Sequence, residues 1–298
     1  MVVETEHLTK RFRRTDVVRD LSLRVPEGSA FALIGPNGAG KTTTIRLLLN
    51  ILRPSAGRAR LFGEDSSKLN PRSFQRIGCV SENQRLPKRL TVEQYFSYLR
   101  PLYTNWDLRL EAALREQLDL PPDRALGKLS HGMRMKTILA AALSFRPQLL
   151  ILDEPLSGLD PLTRDEVIEG MLRLADETTV FISSHELSEI ESFTTDIAFL
   201  DKGSLTFQES IDTLRDRFRE VVVVLADEKR LDRDLPQHWK VPNVSGHTLR
   251  FVESEYKDDQ LLLHELTKYF GPVRFDAEPM SLRDIAKTLM VESPRGSY

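Results

Sequence analysis

Residues 29–52 read SAFALIGPNGAGKTTTIRLLLNIL, and their order of apolar run, glycine-rich loop and second apolar run decides the fold. Within them Gly35, Gly40, Lys41 and Thr42 satisfy G-x-x-x-x-G-K-[ST]. Ser29–Ile34 is a short apolar run of strand type, and Thr43–Leu52 carries a helical pattern that Pro54 stops. Strand, glycine loop, helix is the setting in which this motif binds a nucleoside triphosphate. The loop Gly35, Pro36, Asn37, Gly38, Ala39, Gly40 folds its N–H groups around phosphate oxygens, and the following helix adds the positive end of its dipole at Thr42 and Thr43. Lys41 is placed to reach the β- and γ-phosphates, and the Thr42 hydroxyl to ligate Mg2+. Four constrained positions match by chance roughly once in a hundred chains of this length at average composition, and the flanking strand and helix make chance a poorer account still.

The 298 residues exceed one ordinary core, so about two domains are expected. A hydrophobic content of 40% with 29% charged residues is that of a globular protein in water. No apolar run approaches the ~20 residues that cross a bilayer. The start, MVVETEHLTKRF, lacks the apolar centre of a signal peptide, so neither export nor a membrane anchor is expected. The single cysteine, Cys79, excludes an internal disulfide and fits a reducing cytosol. A net charge of −2 gives no general attraction to nucleic acid or anionic lipid. The cluster Lys10, Arg11, Arg13 and Arg14 reads first as a solvated turn.

Through residue 210 short β-rich runs alternate with helical patterns, which predicts an α/β domain. Arg58–Phe62 and Ile77–Val80 read as strands. Thr91 with Gln94 forms a capping-box start for an amphipathic helix, and Leu108, Leu110, Leu114 and Leu118 repeat the helical period up to Pro121-Pro122. A mostly helical insert over about 88–145 follows. Leu149–Leu152 and Thr179–Ile182 read as buried parallel strands. Between them Asp160 and Pro161 supply the N-cap and first position of a helix running to about Leu174. Ile197–Leu200 and Ser204–Phe207 flank Asp201-Lys202-Gly203 as a hairpin. Residues 211–298 change style. Their expected order is a helix Ile211–Arg219, a strand over 221–226, and a loop holding Pro236 and Pro242. Strand Thr248–Val252, helix Asp259–Phe270, strand Val273–Asp276 and a helix from Ser281 follow, with Ser293–Tyr298 frayed.

A second cluster of chemistry surrounds the loop. LLILDEP, Leu149–Pro155, is an apolar strand ending in carboxylates, which puts Asp153 at the strand's C-terminal edge as the Mg2+ partner. Glu154 points elsewhere by strand alternation, and a second carboxylate beside the γ-phosphate can polarise attacking water. His185 closes the next strand after Phe181-Ile182-Ser183-Ser184 and is placed for a γ-phosphate contact. Ser130 before the helix MRMKTILAAAL is a good N-cap, and Gly132 permits close backbone approach, so a second helix N-terminus suited to phosphate stands there.

Read in order, GPNGAGKTT, LSHGM, LLILDEP, SGLD and SSH, with LTKRF near the start and IGCVSEN at 77–83, resemble the ATP-binding subunit of ABC (ATP-binding cassette) transporters over residues 2–210. The resemblance implies an α/β P-loop cassette in 1–210, with a RecA-like core, an antiparallel β subdomain and a helical subdomain. Residues 211–298 would then form a small accessory α/β domain. It implies ATP and Mg2+, with Phe12 stacking on adenine, Glu154 as general base, and His185 holding the γ-phosphate and the attacking water. Two cassettes close head to tail in this family, so Ser130 and Gly132 would touch the ATP of a second subunit and Asp160 would help join the pair. Two departures stand out. His131 and Met133 replace the Gly and Gln of the usual LSGGQ, adding bulk near phosphate and a group able to titrate. Glu82 occupies the place of a Gln that contacts Mg2+, with Gln84 two residues on, and either could serve.

One cassette, no membrane span and no long coiled-coil insert favour a transport motor whose permease is a separate integral-membrane chain, with the subunit held at the cytoplasmic face. The closing PMSLRDIAKTLM resembles, weakly, the ending of bacterial subunits paired with type-2 permeases, a mostly exporter-like class; Ala286 stands where those carry an aromatic. The alternatives are a soluble cassette ATPase acting on ribosomes or DNA, and a regulatory ATP-binding module. The first would carry two cassettes or long coiled coils, and nucleic acid is not expected from the charge. The second would have lost part of Lys41, Asp153, Glu154 and His185, which are intact.

Overall fold

The computed structural model describes residues 1–172, 178–225 and 235–292. The chain divides into two compact units, Met1–Gln208 and Glu209–Tyr298. The first opens with β1 (Val3–Phe12), β2 (Thr15–Leu21), β3 (Arg24–Val25) and β4 (Ala30–Ile34), then α1 (Lys41–Leu48). β5 (Ala56–Leu61), β6 (Glu64–Asp65), α2 (Pro71–Phe74) and β7 (Ile77–Ser81) follow, and then the helices α3 (Val92–Leu99), α4 (Leu108–Gln117) and α5 (His131–Leu143). It closes with β8 (Leu149–Asp153), α6 (Pro161–Leu172), β9 (Thr179–Ser184), β10 (Asp196–Asp201) and β11 (Ser204–Ser210).

A six-stranded sheet in the order β11-β10-β4-β9-β8-β7 forms the centre of this unit. Its strands from β10 to β7 are parallel. Every residue of β8 and β9 is buried, which is why Leu149–Leu152 and Val180–Ile182 are apolar without alternation. Phe31 of β4 stacks on Phe181 of β9 at 5.5 Å inside a core that also holds Leu33, Ile45, Leu48 and Ile151. The parallel register pairs Ser81 with Asp153, Asp153 with Ser183, and Ile34 with Ser184. The residues that follow β7, β8, β9 and β4, namely Glu82, Glu154, His185 and Gly35, therefore emerge along one edge of the sheet. A second sheet, β2-β1-β5-β6 with β3 beside β1, has antiparallel pairings throughout.

The helical region is organised around a buried carboxylate. Glu111 of α4 accepts bonds from Arg100 (2.8 and 2.7 Å), Trp106 Nε1 (2.9 Å) and Arg115 (3.0 Å). Tyr103 stacks on Phe145 at 3.9 Å beside it. The capping box of Thr91 and Gln94 starts α3 as expected, and Asp107 caps α4. Lys202 (φ 46°) and Gly203 (φ 86°) are both left-handed, the turn that β10 and β11 need to form a hairpin.

The second unit contains α7 (Ile211–Arg217), β12 (Arg219–Val224), β13 (Trp239–Ser245), β14 (Thr248–Glu253), α8 (Asp259–Phe270), β15 (Arg274–Pro279) and α9 (Leu282–Glu292). Its sheet, β13-β14-β12-β15, is antiparallel throughout. Trp239, Phe251, Leu262 and Leu266 lie at the centre of its core.

Several boundaries differ from the expectation. α1 stops at Leu48, four residues before Leu52, because Asn50 turns left-handed (φ 56°) and the Ile51 and Leu52 N–H groups fold back on the Arg46 carbonyl. α7 ends at Arg217, and Arg219 already pairs with Glu253 in β12. The stretch with Pro242, expected as loop, is strand β13. It is the sheet's edge, and its pairing slips between Lys240 and Asn243 with Val241 at φ 48°, so the missing N–H of Pro242 falls at a bulge. Leu174, Ala226 and Ser293–Tyr298 lie outside the described residues.

Candidate functional site

The loop after β4 is shaped by what surrounds it. A Cβ on Gly35 would stand 2.1 Å from the Leu200 carbonyl oxygen. Gly40 has φ 105°, and a Cβ there would stand 2.6 Å from the Val17 carbonyl oxygen. Neither position admits a side chain. α1 begins directly after Gly40 with no capping side chain and no acidic residue in its first turn. By contrast Thr91, Asp107, Ser130, Ser210 and Asp258 cap α3, α4, α5, α7 and α8 through their side chains. The first N–H groups of α1 are thus left for an external acceptor, which is the anion-binding arrangement of a helix N-terminus.

The charged groups converge on this point. Lys41 Nζ is buried and donates to the carbonyls of Gly35 (2.6 Å) and Pro36 (3.2 Å). It also stands 3.0 Å from Glu154 Oε1. The other oxygen of Glu154 lies 2.8 Å from His185 Nδ1. Thr42 Oγ1 donates to Asp153 Oδ1 at 2.9 Å. Glu154 itself has φ 51°, a left-handed conformation that turns the chain sharply out of β8.

Ser183 is the residue that sequence reasoning passed over. Its buried hydroxyl donates to Asp153 Oδ1 (2.9 Å) and accepts from the Glu154 N–H (3.1 Å), fixing both carboxylate-bearing residues from the neighbouring strand. The parallel register between β8 and β9 creates this contact, and a single sequence carries no register across a helix-containing crossover. Val17 is the other omission; it walls the phosphate cleft from β2, and no sequence signal marks it.

That cleft, about 270 Å3, is lined by Asn37, Gly38, Gly40, Lys41, Thr42 and Thr43 from the loop and α1, with Glu82 and Glu154 opposite. Glu82 is anchored by its N–H to the Asp153 carbonyl at 3.1 Å. Gln84 does not line this cleft. It faces a separate groove of about 600 Å3 together with Glu82, Arg85, Lys88, Leu129 and Arg134. Phe12 is 44% exposed at the end of β1 with the Lys10 ammonium 5.1 Å from its ring centre, and is no core aromatic.

Ser130, Gly132 and Asp160 form a second group away from the cleft's lining. Ser130 caps α5 by accepting from the Met133 N–H at 3.2 Å. Asp160 caps α6 through Thr163, accepting from its N–H (3.1 Å) and hydroxyl (2.7 Å), and these bonds hold its carboxyl below the usual range. A Cβ on Gly132 would stand 2.7 Å from Thr163 Cγ2, so the glycine is required where α5 meets α6. His131 does not project freely at the helix start: Nε2 lies 3.0 Å from the Ser157 carbonyl and Nδ1 lies 3.1 Å from Arg134 Nη2.

The uncapped start of α1 and Lys41 offer donors to an anion, and Thr42, its partner Asp153 and the cleft residue Glu82 offer hard oxygen atoms. Such all-oxygen donors suit Mg2+ rather than a thiolate- or imidazole-seeking metal. Among the described residues no helix is long and apolar enough to cross a membrane.

Comparison with known proteins bears on the family and the fold. The family model described as "ABC transporter" matches residues 18–157. The bacitracin transport ATP-binding protein BcrA of Enterococcus faecalis is 36% identical over 224 residues, covering 74% of this chain and 72% of its own. The daunorubicin resistance ATP-binding protein DrrA2 of Streptomyces coeruleorubidus is 32% identical over 300 residues, covering 98% of this chain and 88% of its own. A solved ATP-binding subunit of an ABC transporter superposes with a TM-score of 0.66 at 25% identity, covering 72% of this chain and 92% of that one.

Proposed function

This chain belongs to the ATP-binding subunits of ABC transporters, and from that premise we propose that it powers a permease moving antibiotic-like amphiphilic molecules out of the cell. It is an ABC ATPase with the P-loop cassette fold, and cassettes of this family act as dimers with separate membrane permeases. The transport reading fits, and the ribosome, DNA and regulatory readings do not. Outward direction and cargo class are inferred from relatives named for bacitracin transport and daunorubicin resistance.

One observation carries the site reading: Glu154 contacts both Lys41 and His185 at the uncapped start of α1. Lys41 and the first N–H groups of α1 bind the β- and γ-phosphates and withdraw charge from the leaving side. Glu154 takes a proton from the attacking water, and His185 orients that carboxylate while contacting the γ-phosphate. Thr42, Asp153 and Glu82 would hold Mg2+, which, when bound, neutralises charge on the phosphate oxygens. Phe12, exposed at the end of β1, stacks on adenine. Ser130 and Gly132 of one subunit face the ATP of the other in a head-to-tail pair, with Asp160 at the join.

The groove between Gln84 and Leu129 receives the permease, which would keep the protein at the inner face of the cell membrane. Gln84 then reads the permease while Glu82 reads the metal. The test is phosphate release by the purified chain with Mg2+ and ATP, alongside Lys41→Ala. Hydrolysis by the parent and loss of ATP binding by the variant are expected; tight ATP binding by Lys41→Ala would overturn the site. For the partner, Lys88→Cys should cross-link to a co-expressed membrane protein, and cross-linking only to ribosomal proteins would overturn the transport assignment.

A further inference from the structure

We propose that His131 is a positioning residue that couples the two ATP sites of the dimer, by tying the start of α5 to the loop that follows Glu154. The inference rests on the head-to-tail reading above.

The bonds of the imidazole define its form. A guanidinium only donates and a carbonyl only accepts. With Arg134 Nη2 at 3.1 Å from Nδ1 and the Ser157 carbonyl at 3.0 Å from Nε2, these partners call for a ring that accepts at Nδ1 and donates from Nε2, so both nitrogens are used. The bond to Ser157 joins two segments 26 residues apart. Ser157 is three residues past Glu154 and donates its N–H to the Glu154 carbonyl at 3.4 Å. Glu154 is in turn held by Ser183 through its N–H. The start of α5 also approaches the helix that follows this loop closely, since a Cβ on Gly132 would stand 2.7 Å from Thr163 Cγ2. The first turn of α5 and the turn carrying Glu154 therefore form one mechanical unit.

In the dimer these two ends serve different nucleotides. The start of α5 faces the γ-phosphate bound by the partner subunit, and Glu154 acts on the γ-phosphate bound in its own cleft. A rigid connection between them makes the position of Glu154 depend on whether the opposite site is filled. Glycine at position 131 would leave the Ser157 carbonyl without this donor. His131 thus adds to this chain a link that the family's usual LSGGQ sequence does not supply from that position.

The experiment measures phosphate release against ATP concentration for the full chain, His131→Leu and His131→Gln. Leucine keeps bulk but offers no donor; glutamine returns an N–H of similar reach. The parent is expected to show a Hill coefficient above unity. His131→Leu should bring it to unity and lower kcat about fivefold, the scale of one net hydrogen bond, while a fluorescent ATP analogue binds dilute single subunits unchanged. His131→Gln should recover both quantities. Parent values in His131→Leu, failure of His131→Gln to recover them while melting like the parent, or absence of cooperativity in the parent would each overturn the proposal. Should His131→Leu not fold, His131→Gly is read in its place with the same expectations. A parent that hydrolyses no ATP would instead remove the site reading on which the inference rests.

Discussion

Glu154 Oε2 lies 2.8 Å from His185 Nδ1, and its companion oxygen lies 3.0 Å from Lys41 Nζ. The carboxylate is thus held between the residue that follows β9 and the residue that begins α1. Glu154→Gln keeps the shape and removes the proton acceptor. It is expected to lower kcat by roughly two to four orders of magnitude, the range of a general base. ATP binding should survive, and the ATP-bound dimer should persist in gel filtration. Phosphate release at the parent rate would refute the assignment.

Ser183→Ala removes the hydroxyl shared by Asp153 and the Glu154 N–H. Asp153 loses one of its donors, while the Glu154 N–H keeps the Ser183 carbonyl at 3.3 Å, so the cost is that of one net hydrogen bond, about 1 kcal/mol. Urea unfolding should show that loss, and Mg2+ titration of the ATP complex should show weaker binding. Unchanged curves in both would make Ser183 a bystander.

Gly132→Ala places a methyl group 2.7 Å from Thr163 Cγ2. Overpacking of this kind costs about 1–3 kcal/mol. Adding Thr163→Ser, which deletes Cγ2 and keeps the hydroxyl bonded to Asp160, should recover most of the loss. A double variant no better than Gly132→Ala would show that the glycine is needed for another reason.

Burial works to raise the pKa of Glu111, and bonds from Arg100, Trp106 and Arg115 outweigh it, leaving the carboxyl below its ordinary 4.5. A depressed carboxyl contributes stability that is complete above the unfolded value and disappears as pH falls through the folded one. Acidification below about 4.5 should therefore destabilise the parent more steeply than Glu111→Gln, although the variant is less stable at pH 7. Parallel stability–pH curves for the two proteins would contradict this.

The elements most legible in the sequence were those with local causes. The Thr91–Gln94 capping box, the Asp160–Pro161 helix start and the apolar runs within strands β4, β8 and β9 follow from neighbours within a few residues. Misplaced ends trace to one residue each. The left-handed Asn50 shortened α1, and a bulge let Pro242 into a strand that the proline had argued against. Edge position and bulge are properties of the sheet, invisible along the chain.

For the site, residue types and spacing in the sequence alone pointed to Gly35–Thr43 as a phosphate loop and to Asp153, Glu154 and His185 as its companions. Glycine, lysine and carboxylate at that spacing are the residue types that backbone approach to phosphate and charge call for. Only the tertiary structure decided how they act together. The parallel register put Ser183 between Asp153 and Glu154. The loop after β7 put Glu82 on both the phosphate cleft and the neighbouring groove, and Gln84 on the groove but not the cleft. The approach of α5 to α6 turned His131 onto Ser157 and made Gly132 obligatory. These are contacts between segments far apart in sequence, and their partners are chosen by packing geometry rather than by local spacing.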